Sequence, residues 1–153
     1  TNMSWKGKVT LEMGRALTAS CGYYLTSVKD IKQNNGRNYC IVDGGIHQIQ
    51  YDGQIRGMYT PEVQIIGEQE ETKEWTVCGS LCTTNDILIQ NMEAGDLKTG
   101  DVLAFKKAGA YAAMEGMALF LSHELPGVVL YSEEEGWIQA RVQQETYKLN
   151  MVE

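Results

Sequence analysis

The residues best equipped for chemistry lie in Val77–Leu88, VCGSLCTTNDIL. Two turn residues, Gly79 and Ser80, lead into a thiol, Cys82, then two hydroxyls, Thr83 and Thr84, and then Asn85 and a carboxylate, Asp86. Apolar residues bracket the run, so it reads as a strand, a tight polar loop and a second apolar segment. A thiol at the tip of such a loop is partly accessible, and polar neighbours can tune or orient it. Strand alternation turns Cys78 toward packing instead. The competing reading makes both thiols small core residues. A second cluster is Glu12-Met13-Gly14-Arg15. There glycine lets a backbone come close to a ligand, and arginine offers a bidentate fork for phosphate or carboxylate. A surface ion pair accounts for the same residues. A third candidate is the phenol of Tyr111, which ends the small-residue run Ala108-Gly109-Ala110; strand-end packing is its alternative.

The elements that must position these groups are short strands and turns. Lys8–Met13 reads as a strand delivering Glu12 to Arg15, and residues 16–22 as a brief helical turn. Tyr23–Gln33 alternates as a strand, Asn34-Asn35-Gly36 is a hairpin turn that tolerates positive φ, and Asn38–Val42 returns into Asp43-Gly44-Gly45. Residues 46–58 lack a period and read as a loop with at most one helical turn. Glu62–Gly67 and Trp75–Gly79 read as strands joined by an acidic turn, Glu68–Glu74. Asp86–Gln90 fits strand or helix equally, and Asn91–Thr99 reads as a polar connection. Val102–Lys106 is a strand. Ala112–Leu121 has the helical spacing of Met114, Met117, Ala118 and Leu121, with that face in the core. Pro126-Gly127 precedes two more strands, Val128–Ser132 and Trp137–Val142, and Gln143–Lys148 reads as the start of a terminal helix.

A length of 153 residues predicts about one domain, and the mixture of 43% hydrophobic and 22% charged residues is that of an ordinary globular chain. No apolar run approaches the ~18 residues of a membrane span, and no secretory leader opens the chain. The net charge of −7 argues against a nucleic-acid binder, which needs a basic face. Cys21, Cys40, Cys78 and Cys82 do not have metal-ligand spacing, and neither His47 nor His123 has a partner at such spacing. The expectation is four reduced thiols in a cytoplasmic protein without a metal.

Taken together the motifs resemble the C-terminal domain of the pyridoxal-phosphate-dependent amino-acid decarboxylases that include the diaminopimelate, ornithine and arginine enzymes. They occur in the family's order: Glu12-Met13-Gly14-Arg15 for E-P-G-R, Asp43-Gly44-Gly45, Gly79-Ser80-Leu81-Cys82 with Asp86, Gly100-Asp101, and Gly109-Ala110-Tyr111, with Ala140–Tyr147 similar to the closing segment. The resemblance covers roughly residues 9–148. It implies a mainly β fold, a Greek-key barrel or sandwich with two or three short helices, as in the C-terminal domains of this family and of alanine racemase. It divides the chain into 1–15, the last strand and cofactor loop of a (β/α)8 barrel, and 16–153, the β domain. The barrel, which carries the Schiff-base lysine in this family, is not in the chain.

The resemblance also implies roles. The cofactor takes up the electron pair left when carbon dioxide departs. Glu12 matches the carboxylate that keeps its ring nitrogen protonated. Gly14, Arg15 and Tyr111 match the phosphate-holding groups. Cys82 matches the thiol that reaches the opposite subunit's cofactor and protonates the product; an ordinary thiol, with a pKa of about 8.5, carries a proton at neutral pH. Thr83 and Asp86 match the substrate side. The partners implied are a barrel domain, a second copy in a homodimer, and an amino acid or a carrier-linked amino acid, with no nucleic acid and no membrane. The sequence departs from the pattern at Thr83, where diaminopimelate and ornithine enzymes carry an acid, and Arg56 and Tyr59 are one residue too close to match the substrate-carboxylate pair of the diaminopimelate enzymes. The Leu81-Cys82-Thr83 variant with Phe120–His123 is closest to the subgroup that acts on unusual substrates, including glutamyl groups on acyl-carrier proteins. The competing class is a non-catalytic binding or assembly module that kept the β domain; a racemase domain is disfavoured by the cysteine loop.

Overall fold

The computed structural model describes residues 6–67 and 72–152. Its strands are β1 (Tyr24–Asn34), β2 (Arg37–Val42), β3 (Val63–Ile66), β4 (Lys73–Cys78), β5 (Ile87–Ala94), β6 (Val102–Phe105), β7 (Val128–Ser132) and β8 (Gly136–Arg141). The only α-helix among the described residues is α1 (Arg15–Thr18), a single turn that runs on into a 3-10 turn at Ala19–Cys21. The expected mainly β fold with few helices is what the chain adopts. β1 to β6 form one curled, half-barrel sheet in the order β3-β6-β1-β2-β4-β5, and β7 and β8 form a separate hairpin. Among the described residues no helix is long and apolar enough to cross a membrane.

The sheet turns on β1. Its first half pairs with β6 from Tyr24↔Phe105 to Ser27↔Val102, and its second half pairs with β2 from Val28↔Val42 to Asn34↔Arg37. The hand-over coincides with a bulge at Lys29, between the pairs Val28↔Val42 and Asp30↔Ile41. A bulge sharpens local twist and bends a strand, so one strand serves both wings of the curled sheet. The β1–β2 turn has Asn35 at φ 50° and Gly36 at φ 76°, the two positive values of a tight hairpin. β2 and β4 run parallel, from Asn38↔Trp75 to Ile41↔Cys78. Inside the curl lies a core of Val28, Val42, Val77, Leu88, Leu103 and Phe105, closed by Ile46 and Ile49 from the segment after β2.

Several local expectations fail for identifiable reasons. Lys8–Met13 pairs with no strand among the described residues, and its Val9, Leu11 and Met13 are exposed. β5 extends to Ala94, through the predicted polar connection. Its bulge, with Gln90 and Asn91 opposite Thr76 and Asn91 at φ 55°, hides the strand period. The predicted helix over Ala112–Leu121 does not form, and Met114 is 82% exposed. Its backbone groups are engaged elsewhere: Gln50 N–H donates to Ala112 O at 2.9 Å and Met117 N–H to Ile46 O at 3.0 Å. Gly116 lies flat on the carbonyls of Ile46 and His47. A 3-10 turn at Phe120–Ser122 is all the helix there is. The terminal helix is likewise only a 3-10 turn, Tyr147–Asn150, because the Leu125↔Gln144 bridge holds Gln144 extended. The acidic turn before β4 lies partly outside the described residues.

Candidate active-site surface

The cysteine loop hangs between β4 and β5, and one carboxylate holds its base. Asp86 is 3% exposed; its Oδ1 accepts Ile46 N–H and its Oδ2 accepts Leu81 N–H, both at 2.8 Å. Gly45 and Gly79 lie so close that a methyl group on either would strike that carboxylate. Ser80 completes the joint, donating its N–H to Gly44 O at 2.7 Å and its hydroxyl to Asp43 O. On the fixed base the tip projects: Cys82 is exposed, and Thr83 is half-buried with its Oγ1 accepting Asn85 N–H. Cys82 is therefore not the small core residue of the competing reading. Cys78 is half-buried and Cys40 buried; burial pushes the Cys40 thiol up to about 12, with Cys78 adding to it, and burial raises Cys78 too. Sequence reasoning put Asp86 on the substrate side, whereas the structure buries it with both oxygens satisfied inside the chain. Its geometry is that of an anchor.

The second group assembles from residues almost a hundred positions apart. The turn at residues 15–21 docks on the strand exit through Ala108 N–H to Gly22 O and Gly109 N–H to Ala19 O. That brings Gly14 against the Tyr111 hydroxyl, where a side chain at position 14 would collide with it. The Arg15 guanidinium lies 5.2 Å from the centre of the Tyr111 ring, a cation–π distance, and meets Glu115 at 3.3 Å and Ala110 O at 3.5 Å. Tyr111 is held at φ 57°, a conformation uncommon for a bulky residue. Gly14, Arg15 and Tyr111 thus form one cluster. Glu12 stands exposed nearby in sequence and makes no ion pair among the described residues; Arg15 pairs with Glu115 instead. No hydrogen bond or ion pair among the described residues joins this cluster to the cysteine loop.

Two depressions flank the Arg15–Glu115 pair. One, of about 550 Å³, is lined by Arg15, Ala19, Tyr51, Asp52, Tyr59 and Lys107; the other, of about 460 Å³, by Tyr51, Asp52, Arg56 and Glu115. Tyr51, which lines both, is fixed by its hydroxyl donating to Lys106 O at 2.6 Å. Sequence reading missed Glu115, Tyr51 and Lys107, because their value lies in tertiary placement and no motif announces it. It also passed over the Asp43 network, although Asp43-Gly44-Gly45 was a visible signal. Asp43 accepts the Thr26 hydroxyl and Ser27 N–H and pairs with Lys29, and Thr26 Oγ1 in turn accepts Gly44 N–H.

Residues 16–109 match the family model described as the pyridoxal-dependent decarboxylase C-terminal sheet domain. The chain belongs to this family. Among curated relatives of this decarboxylase domain, a 2-[(L-alanin-3-ylcarbamoyl)methyl]-2-hydroxybutanedioate decarboxylase of Staphylococcus aureus is 31% identical over 82% of this chain and 33% of its own. A diaminopimelate decarboxylase of Buchnera aphidicola is 32% identical over 69% of this chain and 28% of its own. An L-glutamyl-[BtrI acyl-carrier protein] decarboxylase of Niallia circulans is 32% identical over 78% of this chain and 30% of its own. The chain spans about a third of the length of these relatives. A crystal structure of diaminopimelate decarboxylase superposes with a TM-score of 0.78 over 89% of this chain and 34% of that one, at 26% identity.

Proposed function

We propose that this chain is the active-site-completing part of a pyridoxal-phosphate-dependent amino-acid decarboxylase, with residues 16–153 as its β domain and residues 1–15, of which 1–5 lie outside the described residues, leading in from a barrel domain. The observation that carries the proposal is the cysteine loop: an exposed thiol at the tip of a loop whose base is locked by a buried carboxylate. A proton donor must meet its acceptor within hydrogen-bond reach, and a fixed base with a protruding tip suits one that reaches into another subunit's site. The Gly14–Arg15–Tyr111 cluster fits a phosphate. It combines a guanidinium with a phenol whose hydroxyl takes the place a side chain at Gly14 would fill, beside the Gly14 backbone.

The residues would divide the work as follows. Arg15, Tyr111 and the Gly14 backbone would hold the cofactor phosphate, and Glu12 would keep the pyridine nitrogen protonated. When bound, pyridoxal phosphate supplies the electron sink that makes loss of carbon dioxide feasible. Cys82 holds a proton at Sγ and delivers it to the carbon that has lost the carboxyl group. Asp86 positions Cys82. Thr83 faces the far end of the substrate, where a hydroxyl cannot neutralise an ammonium group, so an uncharged or carrier-linked end is preferred. The Niallia circulans relative, named for an L-glutamyl group on an acyl-carrier protein, supports that preference. A homodimer in the cytoplasm completes the reading; the bare apolar surface of β7 and β8, with Leu130, Tyr131 and Trp137 exposed, is consistent with a surface covered by further protein.

The test is Cys82→Ala in the full-length enzyme. Turnover should fall about 10²–10⁴-fold, the usual worth of a general acid, while cofactor affinity measured by absorbance titration stays within about twofold. Undiminished product formation by a folded Cys82→Ala enzyme refutes the assignment.

A further inference from the structure

His47 is a buried polar side chain with no role so far. It is 2% exposed, and neither ring nitrogen has a hydrogen-bond partner among the described residues. A buried polar group left in that state is costly, and it calls for an explanation beyond packing. What lies against it is a second histidine: the His123 ring is tilted at 47° with its centroid 4.7 Å away. The chain contains two histidines in all, and the fold brings them together across 76 residues of sequence.

Their location gives the pair a consequence. His47 belongs to the segment whose Ile46 N–H is held by Asp86, the anchor of the cysteine loop. His123 belongs to the segment that begins at Tyr111. The two segments are laced together by Gln50 N–H to Ala112 O, Met117 N–H to Ile46 O, and Gln48 Nε2 to Glu124 O. Behind His123, its own carbonyl accepts the buried Thr146 hydroxyl at 2.8 Å. The pair therefore sits where the base of the cysteine loop meets the segment that carries Tyr111.

We propose that His47 and His123 form a proton-operated latch: neutral, the two rings pack and close the joint between residues 44–50 and 111–125, and uptake of a proton by His47 loosens it. Two neutral imidazoles can lie against one another, each with a donor and an acceptor nitrogen. A charged ring buried without a partner cannot stay there at the same cost. Burial first, and then His123, hold His47 below the ordinary imidazole range, against an opposing pull from Asp86. The titratable and charged groups around the joint are Asp86 from the cysteine loop, Tyr24 from β1 through Gln48, and Glu115 and Glu124 from the Tyr111 segment. Glu145 lies beside Thr146. Asp86 already accepts two backbone N–H groups and makes no hydrogen bond to either nitrogen of His47. The latch stands on this chain alone.

The test uses the 153-residue chain, in which imidazole NMR shows two histidine signals to follow with pH. His47 should titrate below the ordinary value of about 6.5, and the His123 signal should register the same step. Amide hydrogen exchange in 44–50 and 111–125, corrected for the intrinsic effect of pH, should accelerate several-fold between pH 7.5 and pH 5. In His47→Asn or His47→Gln, whichever folds, that acceleration should vanish. Should neither fold, His123→Asn is expected to move the His47 midpoint upward and shrink the acceleration. Two histidines titrating independently near 6.5 overturn the latch. So do exchange indifferent to pH, persistence of the acceleration in a folded His47 variant, and an unmoved His47 midpoint in His123→Asn.

Discussion

Replacing Asp86 tests whether one carboxylate fixes the cysteine loop. In Asp86→Ala the Ile46 and Leu81 N–H groups each lose a partner at 2.8 Å. Hydrogen bonds to a charged group contribute about 1.5–3 kcal/mol each. Both donors stay buried in a space too crowded for an easy replacement, since Gly45 and Gly79 close on the same carboxylate. The expected loss is about 3–5 kcal/mol, against a total of about 5–15 kcal/mol for a natural domain. For a chain of this length it lowers the melting temperature by roughly 6–20 °C. Asp86→Asn keeps one acceptor oxygen and turns an amide N–H toward the other donor, so it should cost less, about 2–3 kcal/mol. Urea unfolding of the two variants measures both numbers, and hydrogen exchange over residues 79–86 reports whether the loop is the part released. A loss under about 1 kcal/mol in Asp86→Ala, or a loop as protected as in the parent, refutes the anchor.

Three further outcomes follow from the same structure. Native alkylation near pH 7.5 should label the exposed Cys21 and Cys82 first and Cys78 slowly, with Cys40, pushed up to about 12, reacting only on unfolding; mass mapping of the labelled peptides checks the order. Burial raises the Asp43 carboxyl, but the Thr26 hydroxyl, the Ser27 N–H and Lys29 outweigh it and hold the net value below the ordinary range. The stability it contributes is therefore complete above about pH 4 and is lost as pH falls through the folded-state value, and Asp43→Asn should flatten that acid limb of a denaturation series. In the full-length enzyme, Thr83→Asp should shift kcat/KM toward diamino acids by roughly tenfold or more, and a wild-type enzyme that prefers diaminopimelate over every other substrate tested contradicts the reading of Thr83.

Local rules succeeded where they alone decide the backbone. Asn34-Asn35-Gly36 was legible because the turn needs positive φ at both central residues and the sequence supplies residues that tolerate it. They failed where distant partners take the backbone groups. Ala112–Leu121 has a helical stripe, yet Ile46 and Gln50 claim the hydrogen bonds a helix would need. The Gln90–Asn91 bulge erased the alternation that would have extended β5 into its polar end. At the candidate site the residue types were legible through family resemblance, but their partners were not. No local pattern ties Arg15 to Glu115, sinks Asp86 beneath Gly45 and Gly79, or lays His123 on His47.

The parallel β2–β4 pair, the one such pair among the described residues, has a consequence for the order of folding. β1 and β2 close through a two-residue turn, and β4 and β5 close through the cysteine loop, but β2 and β4 are separated by roughly 30 residues of chain. By loop-closure entropy, joining across that span costs about 2 kcal/mol more than closing a tight hairpin, before any contact rewards it. The two hairpins are thus the cheap early steps, and their union comes later. The Asp86 bond to Ile46 spans the same junction, whereas its bond to Leu81 stays within the loop, so the cysteine loop acquires its full fixed base only at that step. Trp75, buried at the junction with its Nε1–H on Gly95 O, is placed to report it, and its fluorescence should settle in a phase slower than hairpin formation, together with protection of the Ile46 amide.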